Sequence, residues 1–441
     1  MIPFKVFNKK IPFALVVLTM SMFGFAQNNR LERKIVKAVD KHLDGAIELI
    51  KTSVNINSGT MNFEGVRAVG TLFQNELDKL GFQTQLTDGT AYCRAGHLVA
   101  TKKGTKGPKI LMIGHLDTVF ELDSPLQEYT MENDSIMKGP GVADMKGGDV
   151  IIILALQALK NAGVLEDMTI EVIMTGDEEK SGKPLELSKK DLIEAAKRSD
   201  IALGFENGDN NPKTIVVARR GSLDWELKVS GVRAHSSQIF LDDVGVGAIY
   251  ETSRILNEFY KQLSKEKNLT FNPGFIIGGT ALKPDADATG GHAYGKSNVV
   301  SQETIVRGDL RAVSLDQLKK AKETMKKIVS ESYPKTEAQL VFSSGGYPPL
   351  SLSEGNTKLL NYFNTVSEDL GFGSVTAVNP RHAGAADISF TSEYVDMAID
   401  GLGLTGGGGD HTIYESGNLN TVERQAKITA VLMYRLVNSK F

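Results

Sequence analysis

Residues 109–118 read Lys109-Ile-Leu-Met-Ile-Gly-His-Leu-Asp-Thr118, an apolar run that stops at a glycine and then sets a histidine and a carboxylate two positions apart. A short apolar run bounded in this way predicts a buried strand. Side chains two apart on a strand share a face, so His115 and Asp117 point the same way. The arrangement returns further on. Residues 168–174 alternate apolar side chains before Thr175-Gly-Asp-Glu-Glu179, and residues 201–205 end at Glu206. Outward from these strands, apolar spacing predicts helices over 30–51, 66–80 and 150–159 and short strands over 84–86 and 98–101. Strand and helix keep exchanging, the pattern of an α/β sheet with helices on its faces. Such a sheet exposes its ligand crevice beyond the carboxyl ends of its strands.

Near Lys213 the order changes to strand (222–229), helix (246–263), strand (275–278), strand (303–310), helix (315–333) and strand (338–342). Two helices over a four-stranded sheet make a compact α+β unit. From about 347 the chain returns to a helix (356–370) and a glycine-rich close. The reading is a discontinuous catalytic domain, 27–213 and 345–441, interrupted by an inserted domain, 214–344.

Composition bounds the function. With 441 residues, 41% hydrophobic and 23% charged, the chain is globular and has material for two domains. Fifty basic side chains against 53 acidic ones disfavour nucleic acid as the main partner, which usually calls for a basic surplus. The single cysteine, Cys93, excludes an intrachain disulfide and a Cys-rich zinc site. Lys5, Lys9 and Lys10 precede an apolar run over 11–25 with Gly24 and Ala26 at its end, a signal-peptide pattern over 1–26. That predicts an exported protein, periplasmic or secreted, the other reading being an uncleaved N-terminal anchor. No later stretch is apolar enough to span a membrane.

Five places carry chemistry. Besides His115-x-Asp117 and the Asp177-Glu178-Glu179 turn, they are Asp144 inside Gly139-Pro-Gly-Val-Ala-Asp-Met-Lys-Gly-Gly148, Glu206, and His411 after the glycines 406–409. Taken singly each has a plain structural explanation: a polar pair at a strand end, a helix N-cap, a solvated acidic turn. Together His115, Asp144, Glu179, Glu206 and His411 form a nitrogen and oxygen donor set without sulfur. Two histidines and three carboxylates can hold two zinc-like ions if one carboxylate bridges, and a further carboxylate beside them can act as general base.

In this order of motifs, over essentially the whole chain after residue 26, the sequence resembles the co-catalytic zinc exopeptidases and deacylases of the glutamate carboxypeptidase, aminoacylase and succinyl-diaminopimelate desuccinylase family. Pro140 brings it nearer the glutamate carboxypeptidase branch. The resemblance implies a mixed-sheet α/β catalytic domain with an inserted α+β lid and dimerisation domain. It implies two Zn2+ ions, with Co2+ or Mn2+ as alternatives. Asp144 would bridge them, Glu179 and His411 would hold one, and His115 and Glu206 the other. It makes Glu178 the general base, Asp117 the partner of His115, and Asp144-Met145 a cis peptide.

In the inserted domain it makes His235 an oxyanion-stabilising residue that reaches the site of a partner subunit in a homodimer. Asn298 and Arg311 would hold a substrate carboxylate. His292 is left structural, and the stretch 272–295 is longer than the pattern requires. The function implied is hydrolysis of an amide beside a free carboxylate, in a small peptide or an N-acyl amino acid. Carboxypeptidase comes first, with deacylase or dipeptidase as the alternatives and a non-catalytic metal-retaining binding protein as the alternative of another class.

Overall fold

A computed structural model describes residues 14–285 and 289–440. Six strands form the central sheet, in the order Gln83–Leu86, Leu98–Lys102, Met168–Thr175, Lys106–His115, Ile201–Gly204 and Met397–Ile399. The last four are parallel and Leu98–Lys102 runs against them, so the sheet is mixed. Its alternation sorts side chains between two cores. Ile110 and Met112 pack into the core under three helices, Ala14–Val54, Gly147–Ala162 and Asn420–Val437. Leu111 and Ile113 pack on the other face with Leu192, Ala195 and Ala196 of the helix Lys190–Arg198. Both faces are covered, which is why these strands read as continuous apolar runs.

The inserted domain has its own antiparallel sheet, in the order Thr270–Gly279, Glu303–Ala312, Gly221–Gly231 and Thr336–Phe342. Trp225, Leu227 and Val229 alternate inward against the helices Gly247–Leu263 and Leu315–Ser330, while Asp224, Glu226 and Lys228 face outward. Residues 214–216 still belong to the catalytic body: Thr214–Ile215 pair with Thr376–Ala377, and Val216 bridges to Asp400. The long stretch 272–295 contains a separate hairpin, Ala281–Pro284 with Gly291–Tyr294, in which His292 pairs with Lys283.

The sequence pattern missed the C-terminal helix Asn420–Val437. Every residue from Thr421 to Val437 is buried except the partly exposed Glu423. Its buried Arg435 explains how charge is tolerated there, pairing with Glu32 at 2.9 Å and Asp369 at 2.6 Å. The expected export segment lies outside the described residues over 1–13, and its remainder continues the first helix. Among the described residues no helix is long and apolar enough to cross a membrane.

Candidate metal centre

Register places the site. His115 lies opposite Thr175, and Ile113 lies opposite Gly204, so three adjacent parallel strands end together. Their ends deliver His115, the 177–179 turn and Glu206 to one crevice. Asp144 arrives from the short turn Val142–Lys146, whose entry Gly141 has φ of 75°. Gly148 lets the following helix press against the end of the third strand, since a Cβ there would lie 2.0 Å from the Phe205 carbonyl oxygen. The Asp144–Met145 peptide is cis. His411 comes from the glycine-rich loop, which is pinned beside Asp144 by pairing of Ser416–Asn418 with Ile136–Lys138.

Two groups of donors result, His115 with Asp144 and Glu206, and Asp144 with Glu179 and His411. Within each group the ligand atoms lie within 4.8 Å of one another. Asp144 belongs to both. Its Oδ1 is 3.1 Å from His115 Nε2 and its Oδ2 is 3.1 Å from His411 Nε2. Glu206 is 3.6 Å from His115 Nε2, and Glu179 is 3.2 Å from His411 Nε2. His115 Nδ1 faces the Asp117 carbonyl oxygen at 3.0 Å, which leaves Nε2 for a metal. The Asp117 carboxylate is 3.5 Å from that ring and has a second task. It accepts the backbone N–H groups of Glu178 and Glu179 at 3.0 and 3.2 Å and the Thr60 hydroxyl at 2.6 Å.

The electrostatics call for cations. Burial, then Asp144, pushes Glu179 up to about 7. Burial, then Asp144, raises Glu206, and burial raises Glu178 with Asp387, Glu179 and Asp144 adding to it. Hydrogen bonds to Asp144 and Glu179 lift His411 to about 11. Carboxylates so crowded would otherwise stay partly protonated. Glu179 Oε1 is buried without a partner. An orphaned carboxylate oxygen in an all-nitrogen-and-oxygen donor set that shares one carboxylate suits two zinc ions or related divalent metals.

The profile of peptidase family M20/M25/M40 matches residues 111–435. The chain belongs to peptidase family M20/M25/M40. It is 26% identical over 427 residues to carboxypeptidase G2 of Pseudomonas sp. (strain RS-16), a match spanning 96% of this chain and 97% of that one. To a succinyl-diaminopimelate desuccinylase of Gluconobacter oxydans it is 25% identical over 379 residues, 82% of this chain and 90% of that one. The fold is also that of a tripeptidase from Staphylococcus aureus, with TM-score 0.67 and 17% identity over 90% of this chain and 99% of that one. Aminopeptidase PepT of Bacillus cereus gives TM-score 0.68 and 18% identity over 89% and 98%. With its two ligand groups, this M20/M25/M40 member is a dinuclear-metal hydrolase of exopeptidase type.

The lid residues stand apart from these ligands. His235 is exposed and hydrogen-bonds Ser237, and the backbone beside it meets Asn298 and Val299. Arg311 Nε is engaged by Asp309 of its own strand at 2.8 Å. Among the described residues, His235, Asn298 and Arg311 make no hydrogen bond or ion pair with the metal ligands of their own chain.

The sequence reading also missed supporting residues. Glu415 accepts the N–H groups of Ala143 and Asp144 at 3.1 and 3.3 Å, and burial, then Asp144, raises its carboxyl to about 8. Asp400 accepts the Glu206 N–H at 3.2 Å and pairs with the buried Arg219 at 2.7 Å. A signal for Asp400 existed. It follows the apolar Met397–Ile399 strand just as Glu206 follows 201–205, but three residues were too few to register.

Proposed function

We propose that this protein is an exported exopeptidase resembling glutamate carboxypeptidases, one that hydrolyses an amide bond beside a free carboxylate. The observation that carries the reading is Asp144 shared between two ligand groups, with Glu178 on the same turn as the ligand Glu179. The near-full-length likeness to carboxypeptidase G2 supports the carboxypeptidase choice. When bound, the two ions would lower the pKa of an attacking water and polarise the scissile carbonyl. Glu178 takes the proton from that water and returns it to the leaving amine, a role suited to a carboxyl raised by burial. Arg311 and Asn298 hold the substrate carboxylate, for which a guanidinium offers two parallel donors.

His235 belongs to the site of a second copy. Its exposure, and its bond to Ser237 rather than to its own chain's ligands, favour a homodimer through the inserted domain. The same domain exposes Ile249 and Tyr250 on one helix turn and Phe240 and Leu241 beside them. A solution mass of one chain at micromolar concentration, with full turnover, would overturn this part.

The deciding experiment is turnover of the zinc-loaded protein on peptides with free and amidated C-termini and on N-acyl amino acids. Cleavage that requires the free C-terminal carboxylate of a peptide is the expected result. Cleavage confined to N-acyl amino acids would replace it with the deacylase reading, which the desuccinylase likeness favours. Absence of turnover with both ions bound would leave a metal-retaining binding protein.

A further inference from the structure

Two segments join the catalytic body to the inserted domain, and each sends a side chain behind the metal centre. The entering and leaving segments are held together by Arg219 N–H on the Leu350 carbonyl and Ser222 N–H on the Tyr347 carbonyl, both 3.0 Å. They cross closely. A Cβ on Gly346 would lie 2.3 Å from the Ser222 carbonyl oxygen, and one on Gly221 2.6 Å from that of Tyr347. From the entering segment, Arg219 reaches Asp400, which accepts the Glu206 N–H. From the leaving segment, the Tyr347 hydroxyl donates to the Glu178 carbonyl oxygen at 2.9 Å and meets Ser181 Oγ at 3.1 Å.

The Glu178 peptide is thereby held at both ends, its N–H by Asp117 and its carbonyl by Tyr347. The tyrosine ring is fixed in turn. It packs on Phe390 at 5.1 Å between centroids, and the Lys189 ammonium sits 5.7 Å from its centre. Asp117 belongs to the catalytic body, whereas the Tyr347 backbone is bonded to Ser222 at the foot of the inserted sheet. One of the two bonds that orient Glu178 thus comes from the segment that joins the domains, the Tyr347 ring being anchored in the catalytic body and its backbone bonded to the inserted sheet.

We propose that Tyr347, on the segment leaving the inserted domain, is a positioning residue for Glu178. This rests on Glu178 being the base. The hydroxyl's partners are the Glu178 carbonyl oxygen and Ser181 Oγ, neither of them a donor of the two ligand groups. It acts by fixing a peptide whose side chain must lie within hydrogen-bond reach of the attacking water, and small misplacements of such a group are costly.

The test compares the zinc-loaded full chain with Y347F, S181A and E178Q on whichever peptide or N-acyl amino acid the wild type cleaves. Y347F removes only the hydroxyl and keeps the ring on Phe390 and Lys189. It is expected to lower kcat about 10- to 100-fold with KM within about twofold, an effect confined to the reacting geometry. Zinc content and melting temperature should match wild type. S181A removes the hydroxyl's other neighbour, leaves its bond to Glu178, and should leave kcat within about twofold. Y347F with wild-type kcat, or S181A as damaging as Y347F, would overturn the proposal. E178Q separates the two levels: full turnover in E178Q with both ions bound removes the base assignment itself, whereas an inactive E178Q beside a fully active Y347F removes only the role of Tyr347.

Discussion

Glutamine at position 178 is expected to lower kcat by about 10²- to 10⁴-fold, the usual contribution of a positioned general base. The substitution keeps shape and volume but cannot accept a proton. The turn should survive it, because the backbone bonds of residue 178 go to Asp117 and Tyr347 and need no carboxylate. Both ions should remain bound, since Glu179 and the other four ligands are untouched. Steady-state kinetics alongside metal analysis makes the comparison. Near-normal turnover with two ions bound would remove Glu178 from the mechanism.

The largest stability effect is expected at Lys189, which is not among the metal-ligand groups. It is fully buried, 2.9 Å from Asp177 and 3.0 Å from Asp387. Asp177 also accepts from Ser188 Oγ and the Gly182 N–H, and Asp387 accepts from Thr175 Oγ1. One ammonium therefore ties Asp177, at the start of the acidic turn, to the 387–391 segment. K189M fills much of the same space but leaves two buried carboxylates without their cation, and breaking such a pair costs about 3–5 kcal/mol. Urea unfolding of the metal-free protein would show it as a lower midpoint.

The effect has a pH signature. Burial alone would raise the Asp177 carboxyl, but Lys189, His97 and the hydrogen bonds from Ser188 and Gly182 hold it below the ordinary range. Its contribution is therefore complete above the unfolded carboxylate value of about 3.9 and is lost as pH falls through the lower folded value. The gap between wild type and K189M should narrow as pH falls, beginning above about pH 4, because without the ammonium burial raises the Asp177 carboxyl and the variant takes up its proton at higher pH than wild type. A gap under about 1 kcal/mol, the range of an exposed pair, would refute the account.

How much was legible in the sequence depended on distance along the chain. His115, Asp144, Glu178, Glu179 and Glu206 each follow an apolar strand or sit among glycines, so local pattern marked them. The support behind them is assembled from afar: Lys189 with Asp387, Arg219 with Asp400, Asp144 with Glu415 and Glu178 with Tyr347. Each is a single polar residue in an unremarkable context, and nothing local distinguishes it from a surface charge. In the C-terminal helix Arg424, Lys427 and Arg435 are buried by packing, so its charged residues do not mark a solvent face.

Apolar periodicity and strand-end acids are short-range features, so they marked the α/β class, the element order of the inserted sheet and the candidate donors His115, Asp144, Glu179, Glu206 and His411. Tertiary contacts set which oxygen of Asp144 faces which histidine, that Asp117 holds the Glu178 N–H as well as facing His115, and that both linking segments reach behind the metal centre. Those facts depend on strand register and on the crossing of segments more than a hundred residues apart. Such placement is fixed by packing the whole chain at once, and no window of sequence contains it.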